Sequence, residues 1–169
     1  MGFDNVKVMI PFCRTVEEGK KVLALMADYG LIQKQNALEV YMMVEVPSNV
    51  ILADDFAKIF DGFSIGSNDL TQLTLGIDRD SSIISEIFNE QNPAVTKLIK
   101  QVIEVAKENH IKIGLCGQAP SDHPEFASFL VEQGIDSISF NPDALMRGIE
   151  NIHLAEEGLR KKRLLLSAH

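Results

Sequence analysis

Six residues stand where side-chain type and setting allow chemistry: Glu45, Gly66, Ser67, Asn68, Asp69 and Cys116. Glu45 lies in MMVEVP, among apolar neighbours. A carboxylate in that setting must be ion-paired or bound to a metal, because leaving it charged and dry is expensive. A buried salt bridge to Lys or Arg is the alternative to the metal. Asp69 closes the run GSND directly after the apolar FSI. Taken alone it reads as a helix N-cap. Taken with Glu45 it supplies a second hard oxygen ligand, and two carboxylates with open positions suit Mg²⁺ or Mn²⁺, which keep several waters and recruit substrate oxygens. Cys116 sits between glycines in GLCG. It is either a small buried hydrophobe or a thiol able to reach a ligand, and spacing leaves both open. Cys13 has no such setting and reads as structural. His123, in SDHPE, reads as a loop residue, and His110, His153 and His169 as helix-end or tail residues.

The elements that must carry these residues alternate. KVMIPF (7–12), EVYMMVEV (39–46), GFSI (62–65), IKIGLC (111–116) and DSISF (136–140) are short apolar runs, each followed by a helical pattern. Thr15 and Glu18 form a capping-box pattern before a helix ending at Gly30. Ser48 is placed to cap a helix running to about Phe60, and Pro93 opens a long helix at a favoured first-turn position. A short helical turn and the loop GIDRDSS follow the third strand. Further helices start near Pro124, ending at Gly134, and near Pro142. The strands are nearly continuous in hydrophobicity, the pattern of strands buried on both faces. Five strand–helix units predict an α/β fold with a parallel sheet. In such a sheet Glu45, Asn68, Asp69, Cys116 and Asn141 all fall at one rim, the rim where α/β proteins place their sites.

Composition narrows the classes. A chain of 169 residues, 46% apolar and 24% charged, fits one soluble domain spanning 1–169. No apolar run reaches the ~20 residues of a membrane-spanning helix. The start MGFDNVKVMI has no signal-peptide pattern, and two cysteines make no disulfide framework, so a cytoplasmic setting is expected. A net charge of −8 argues against nucleic acid as a partner. The basic run RKKR (160–163) is expected at a helix end, where cations suit the dipole.

Several motifs are specific enough to compare with a family. VMIPFCRT, YMMVEVPSN, DGFSIGSNDLTQLTLGIDRDS, IGLCGQAPSDHPE and GIDSISFNPD closely resemble the C-terminal barrel of the phosphoenolpyruvate synthase (pyruvate, water dikinase) family, from about Val6 to Asp143. Gln118 stands where the related pyruvate, phosphate dikinases typically have Glu. After Leu145 the resemblance fades. The resemblance implies a partial TIM (β/α)8-type barrel holding about five parallel βα units, the C-terminal part of that barrel. It implies Glu45 and Asp69 as Mg²⁺ ligands (Mn²⁺ as a substitute). It also implies Glu45, Gly66, Ser67, Asn68 and Asp69 as pyruvate or phosphoenolpyruvate contacts, and Cys116 as the proton donor or acceptor at the methyl carbon. In the family, ATP phosphorylates a histidine on a swivelling domain, releasing AMP and phosphate, and the barrel passes the phosphoryl group to pyruvate.

The first three barrel strands, the phosphate-binding arginines, and the upstream phosphohistidine and ATP-grasp domains have no counterpart here; Arg14 and Arg79 do not match the motifs of those arginines. The chain is therefore expected to be a fragment, inactive alone, and to form a homodimer or larger assembly through its open side or an edge strand. The other functions considered are a non-catalytic dimerisation module, a pyruvate, phosphate dikinase-type enzyme, and a barrel aldolase, against which Cys116 in GLCGQ argues.

Overall fold

The computed structural model describes residues 5–81 and 83–167; Ser82 of the GIDRDSS loop and His169 lie outside them. Five strands form a single sheet: β1 (Lys7–Ile10), β2 (Glu39–Val44), β3 (Gly62–Gly66), β4 (Lys112–Cys116) and β5 (Ser137–Ile138). Their order is β1-β2-β3-β4-β5, every neighbouring pair is parallel, and β1 and β5 are the edges. The connecting helices are α1 (Val16–Asp28), α2 (Pro47–Ile51), α3 (Ala53–Ala57), α4 (Ser67–Leu75), α5 (Pro93–Glu108), α6 (Ala119–Asp122) and α7 (Pro124–Gln133). A 23-residue helix, α8 (Leu145–Ser167), follows β5 and packs along α7.

Local sequence explains most of these boundaries. Thr15 caps α1 by accepting the Glu18 N–H at 3.1 Å, Glu18 reaches back to the Arg14 N–H at 2.7 Å, and Gly30 takes the left-handed φ of 84° just past the end. Asn92 caps α5, with Pro93 at its first position. One expected helix differs. The segment to Phe60 is two short helices broken at Leu52 (φ −106°, ψ 24°), and Ser48 is inside the first one, donating its hydroxyl to the Arg14 carbonyl at 3.0 Å. The last strand, β5, is only two residues long and pairs with β4 alone.

The sheet is not buried equally on both faces, contrary to the expectation from its continuous hydrophobicity. Val40, Met42, Val44, Phe63, Ile65, Ile113 and Leu115 point to the helices and join Phe56, Ile99, Ile103 and Leu130 in one core. Burying each of these large side chains contributes about 1.5–3 kcal/mol. The opposite face carries Lys7, Tyr41, Met43, Ser64 and Cys116, residues left exposed or partly exposed except Ser64. In a partial barrel that face looks into the open interior, so its apolar residues lack the partners that a full ring of strands supplies. Among the described residues no helix is long and apolar enough to cross a membrane. RKKR lies within α8 and not at its end, and His153 is likewise mid-helix, 3.6 Å from Glu157.

Candidate active site

Three adjacent strands end together. Val44 pairs with Ile65 and Gly66 pairs with Cys116, so Glu45, Gly66 and Cys116 occupy the same level at the C-terminal rim. Glu45 is 4% exposed, and its Oε2 accepts the Phe12 N–H at 2.9 Å. Phe12, just past β1, holds the left-handed φ of 50°, a conformation that costs a non-glycine residue of order 1 kcal/mol or more. Gly66 is needed for space: a Cβ there would lie 2.6 Å from Glu45 Cγ and 3.0 Å from its Oε1.

Among the described residues Glu45 has no Lys or Arg partner, so the buried salt bridge weighed for it is not formed. Burial holds its carboxyl above the ordinary range, the Phe12 N–H works against that, and the charge of Asp69 adds to it. Asp69 does not cap. It is the third residue of α4, whose N-cap is Gly66 with no side-chain bond. Two carboxylates that repel each other, with no counter-charge, are a donor set that fits a divalent cation. No group of three or more acidic, His or Cys side chains comes together among the described residues, so the remaining positions would fall to water and ligand oxygens.

The GSND run is more than a turn. Ser67, Asn68 and Asp69 are the first turn of α4, whose leading N–H groups have no partner within the helix and suit an anionic group. Asn68 borders a cavity of about 510 Å³, together with Arg79, Glu90, Gln118 and His123. Ser67 is fully buried, and its hydroxyl donates to Glu90. Cys116 is partly exposed; Ser64 Oγ donates to its Sγ at 3.2 Å, and the thiol itself is 3.6 Å from the Ile65 carbonyl. Cys13 is buried, which pushes its thiol pKa up, in keeping with a structural role. Two larger cavities, about 770 Å³ each, lie away from this rim: one between α7, β5 and α8, one lined by Lys34, Asp61 and His110. Neither holds any of the six residues.

Two residues here were not singled out from sequence. Asn49, fully buried, accepts the Glu45 and Val46 N–H groups at 3.2 and 3.0 Å and donates to the Cys13 carbonyl at 2.6 Å. It ties the ends of β1 and β2 together and fixes the backbone that carries Glu45. Its signal in VEVPSN was an amide just after a proline, in the first turn of a helix, where it is free to bond back to the strand end. Glu90, in a polar loop, gave no periodic signal at all.

The comparisons bear on this rim. Residues 1–155 match the family described as PEP-utilising enzyme, PEP-binding domain. The chain belongs to that family. It is 65% identical over 147 residues to phosphoenolpyruvate synthase of Aquifex aeolicus, covering 87% of this chain and 17% of the relative. It is 62% identical over 159 residues to phosphoenolpyruvate synthase of Synechocystis, covering 94% and 19%. The chain thus spans under a fifth of the length of these two PEP-utilising relatives. Among solved structures it resembles citrate synthase SbnG, at TM-score 0.60 and 18% identity, over 92% of this chain and 64% of that one. A HpcH/Hpal aldolase/citrate lyase family protein from Burkholderia cenocepacia also has TM-score 0.60, at 16% identity, over 93% and 65%. These likenesses show the fold alone, a partial β/α barrel.

Proposed function

We propose that this PEP-utilising chain is the pyruvate-binding and proton-transferring part of a phosphoenolpyruvate synthase. The observation that carries the proposal is the meeting of Glu45, the first turn of α4 and Cys116 on three adjacent strand ends, in a chain so similar to synthases. Glu45 and Asp69 would hold Mg²⁺ or Mn²⁺. When bound, that cation supplies Lewis-acid stabilisation of negative charge developing on the pyruvate carbonyl oxygen.

The chain's own groups do the rest. Free N–H groups of α4 and the Asn68 amide orient the substrate carboxylate, and Gly66 keeps the corner open. Cys116, as thiolate, takes a proton from the methyl carbon; the C–H electron pair becomes the C–C double bond of the enolate, and the enolate oxygen accepts the phosphoryl group. In reverse the thiol returns that proton. The Ser64 hydroxyl, donating to Sγ, holds the sulfur in place at the strand end. Phosphoryl supply would come from phosphohistidine and ATP-grasp domains elsewhere in a longer polypeptide. The isolated chain would therefore be inactive. The edges β1 and β5, with Met9 and Phe12 about two-fifths exposed, favour assembly with further chain or a second copy.

A chimera tests this. The matching segment of the Aquifex aeolicus synthase is replaced by this chain, and formation of phosphoenolpyruvate, AMP and phosphate from ATP and pyruvate is measured. Turnover that is lost with Cys116→Ala, while histidine phosphorylation persists, is expected. A folded chimera with no turnover, or one indifferent to Cys116→Ala, would contradict the proposal.

A further inference from the structure

Glu90 lies in the loop between α4 and α5, yet it is only 8% exposed. No Lys or Arg pairs with it among the described residues. Its Oε1 accepts the Ser67 hydroxyl, and the backbone N–H of Ala119 lowers its carboxyl pKa against the upward push of burial. Gly117 completes the junction: a Cβ there would overlap the Ser67 hydroxyl and lie 3.2 Å from Glu90 Oε1. Three separate stretches therefore meet on one carboxylate: the first turn of α4, the loop before α5, and the residues that follow Cys116. An apolar side chain would fill this volume without the desolvation cost of a carboxylate, so bulk alone does not account for an acid here. What the acid adds is direction, because it accepts the Ser67 hydroxyl while packed against the Gly117 turn.

We infer that Glu90 is a positioning residue, resting on the function proposed above: by holding Ser67 against the Gly117–Ala119 segment it sets the separation between the oxygen-binding corner and the Cys116 thiol. It acts through Ser67 Oγ on the turn that presents Asn68 and Asp69, and through the close packing at Gly117 on the segment leaving β4. Proton transfer needs the methyl carbon close to Sγ while the oxygens of the same molecule stay at the corner. A misplacement of about 1 Å is costly for such a geometry. Burial pushes the Glu90 carboxyl above its usual range, while the bonds from Ser67 and Ala119 and the nearby His123 work the other way.

The test uses the full 169-residue chain with Glu90→Ala and Glu90→Gln, each checked for folding by circular dichroism. Mn²⁺ binding is measured first, then binding of oxalate, an enolate mimic, to the Mn²⁺-loaded chain. Alkylation of Cys116 by iodoacetamide is followed without metal or oxalate, by peptide mass. All three chains are expected to bind Mn²⁺ alike. Glu90→Ala is expected to weaken oxalate about tenfold, and Glu90→Gln, which keeps length and one acceptor, by less than about threefold. Cys116 alkylation is expected to rise about threefold or more in Glu90→Ala only. Oxalate binding and alkylation unchanged in both variants would overturn the inference, as would Mn²⁺ binding that weakens in step with oxalate. If the parent binds no oxalate, the proposed function fails, and the alkylation arm alone then decides Glu90: faster in Glu90→Ala supports it, unchanged overturns it. Should Glu90→Ala not fold, Ser67→Ala opens the same junction from the other side and is read by Cys116 alkylation alone: faster supports the inference, unchanged overturns it.

Discussion

Replacing Gly66 by Ala puts one methyl group where Glu45 now lies. The new Cβ would stand 2.6 Å from Glu45 Cγ, 3.0 Å from Oε1 and 3.3 Å from Cδ. Carbon atoms in comfortable contact are about 3.5–4.0 Å apart, so the Glu45 side chain must retreat by about 1 Å. It has little freedom to do so. Its carboxylate is held by the Phe12 N–H, and its backbone by Asn49. Overpacking of this kind costs about 1–3 kcal/mol. For a chain of this size about 2 kcal/mol corresponds to a fall in Tm of about 4–8 °C. The displaced carboxylate should also weaken Mn²⁺ about tenfold, equivalent to about 1.4 kcal/mol. Differential scanning fluorimetry and an Mn²⁺ titration read both effects. Gly158→Ala is the control: it lies in α8 with nothing within 4 Å of a new Cβ, so it should gain about 0.5–1 kcal/mol from helix propensity. A Gly66→Ala chain with unchanged Tm and unchanged Mn²⁺ binding would refute the close packing of Glu45 over Gly66.

Three further outcomes follow from the same contacts. Asn49→Ala should cost about 3 kcal/mol in urea denaturation, since it leaves the Cys13 carbonyl and two N–H groups buried without partners. Glu45 has a raised pKa in the fold, so its contribution to stability is full below the ordinary value of 4.5 and is lost as pH rises through the folded value. Without divalent cations Glu45→Gln should therefore gain on the parent between pH 4.5 and neutrality, and saturating Mg²⁺ should reverse the order; a difference independent of pH would contradict the burial of this charge. In sedimentation at micromolar concentration the chain should be dimeric or larger through its open side or an edge strand, and a clean monomer would show that these surfaces need no cover.

Much of the fold was legible because the signals were local. Apolar runs marked all five strands, and Thr15, Gly30 and Pro93 marked helix ends by their own backbone preferences. The break at Leu52 carries neither Gly nor Pro, so nothing in its neighbourhood announced it. The inner face of the sheet misled for a related reason: Met9 and Met43 read as buried, but their cover depends on strands that this chain does not contribute. At the site, Glu45, Asp69 and Cys116 stood out as polar groups at strand ends. Glu90 did not, because its burial comes from Ser67, 23 residues away, and from the turn after Cys116. A polar loop residue that becomes a core residue by tertiary contact leaves no periodic trace.

On the proposed function, Glu45 and Asp69 would form one cation site facing the substrate corner. Water-proton relaxation during Mn²⁺ titration of the parent and of Asp69→Asn, with and without oxalate, tests it most directly. Weak binding by the parent, strengthened by oxalate and largely lost in Asp69→Asn, is the predicted result. Equal Mn²⁺ binding by the two chains would contradict it.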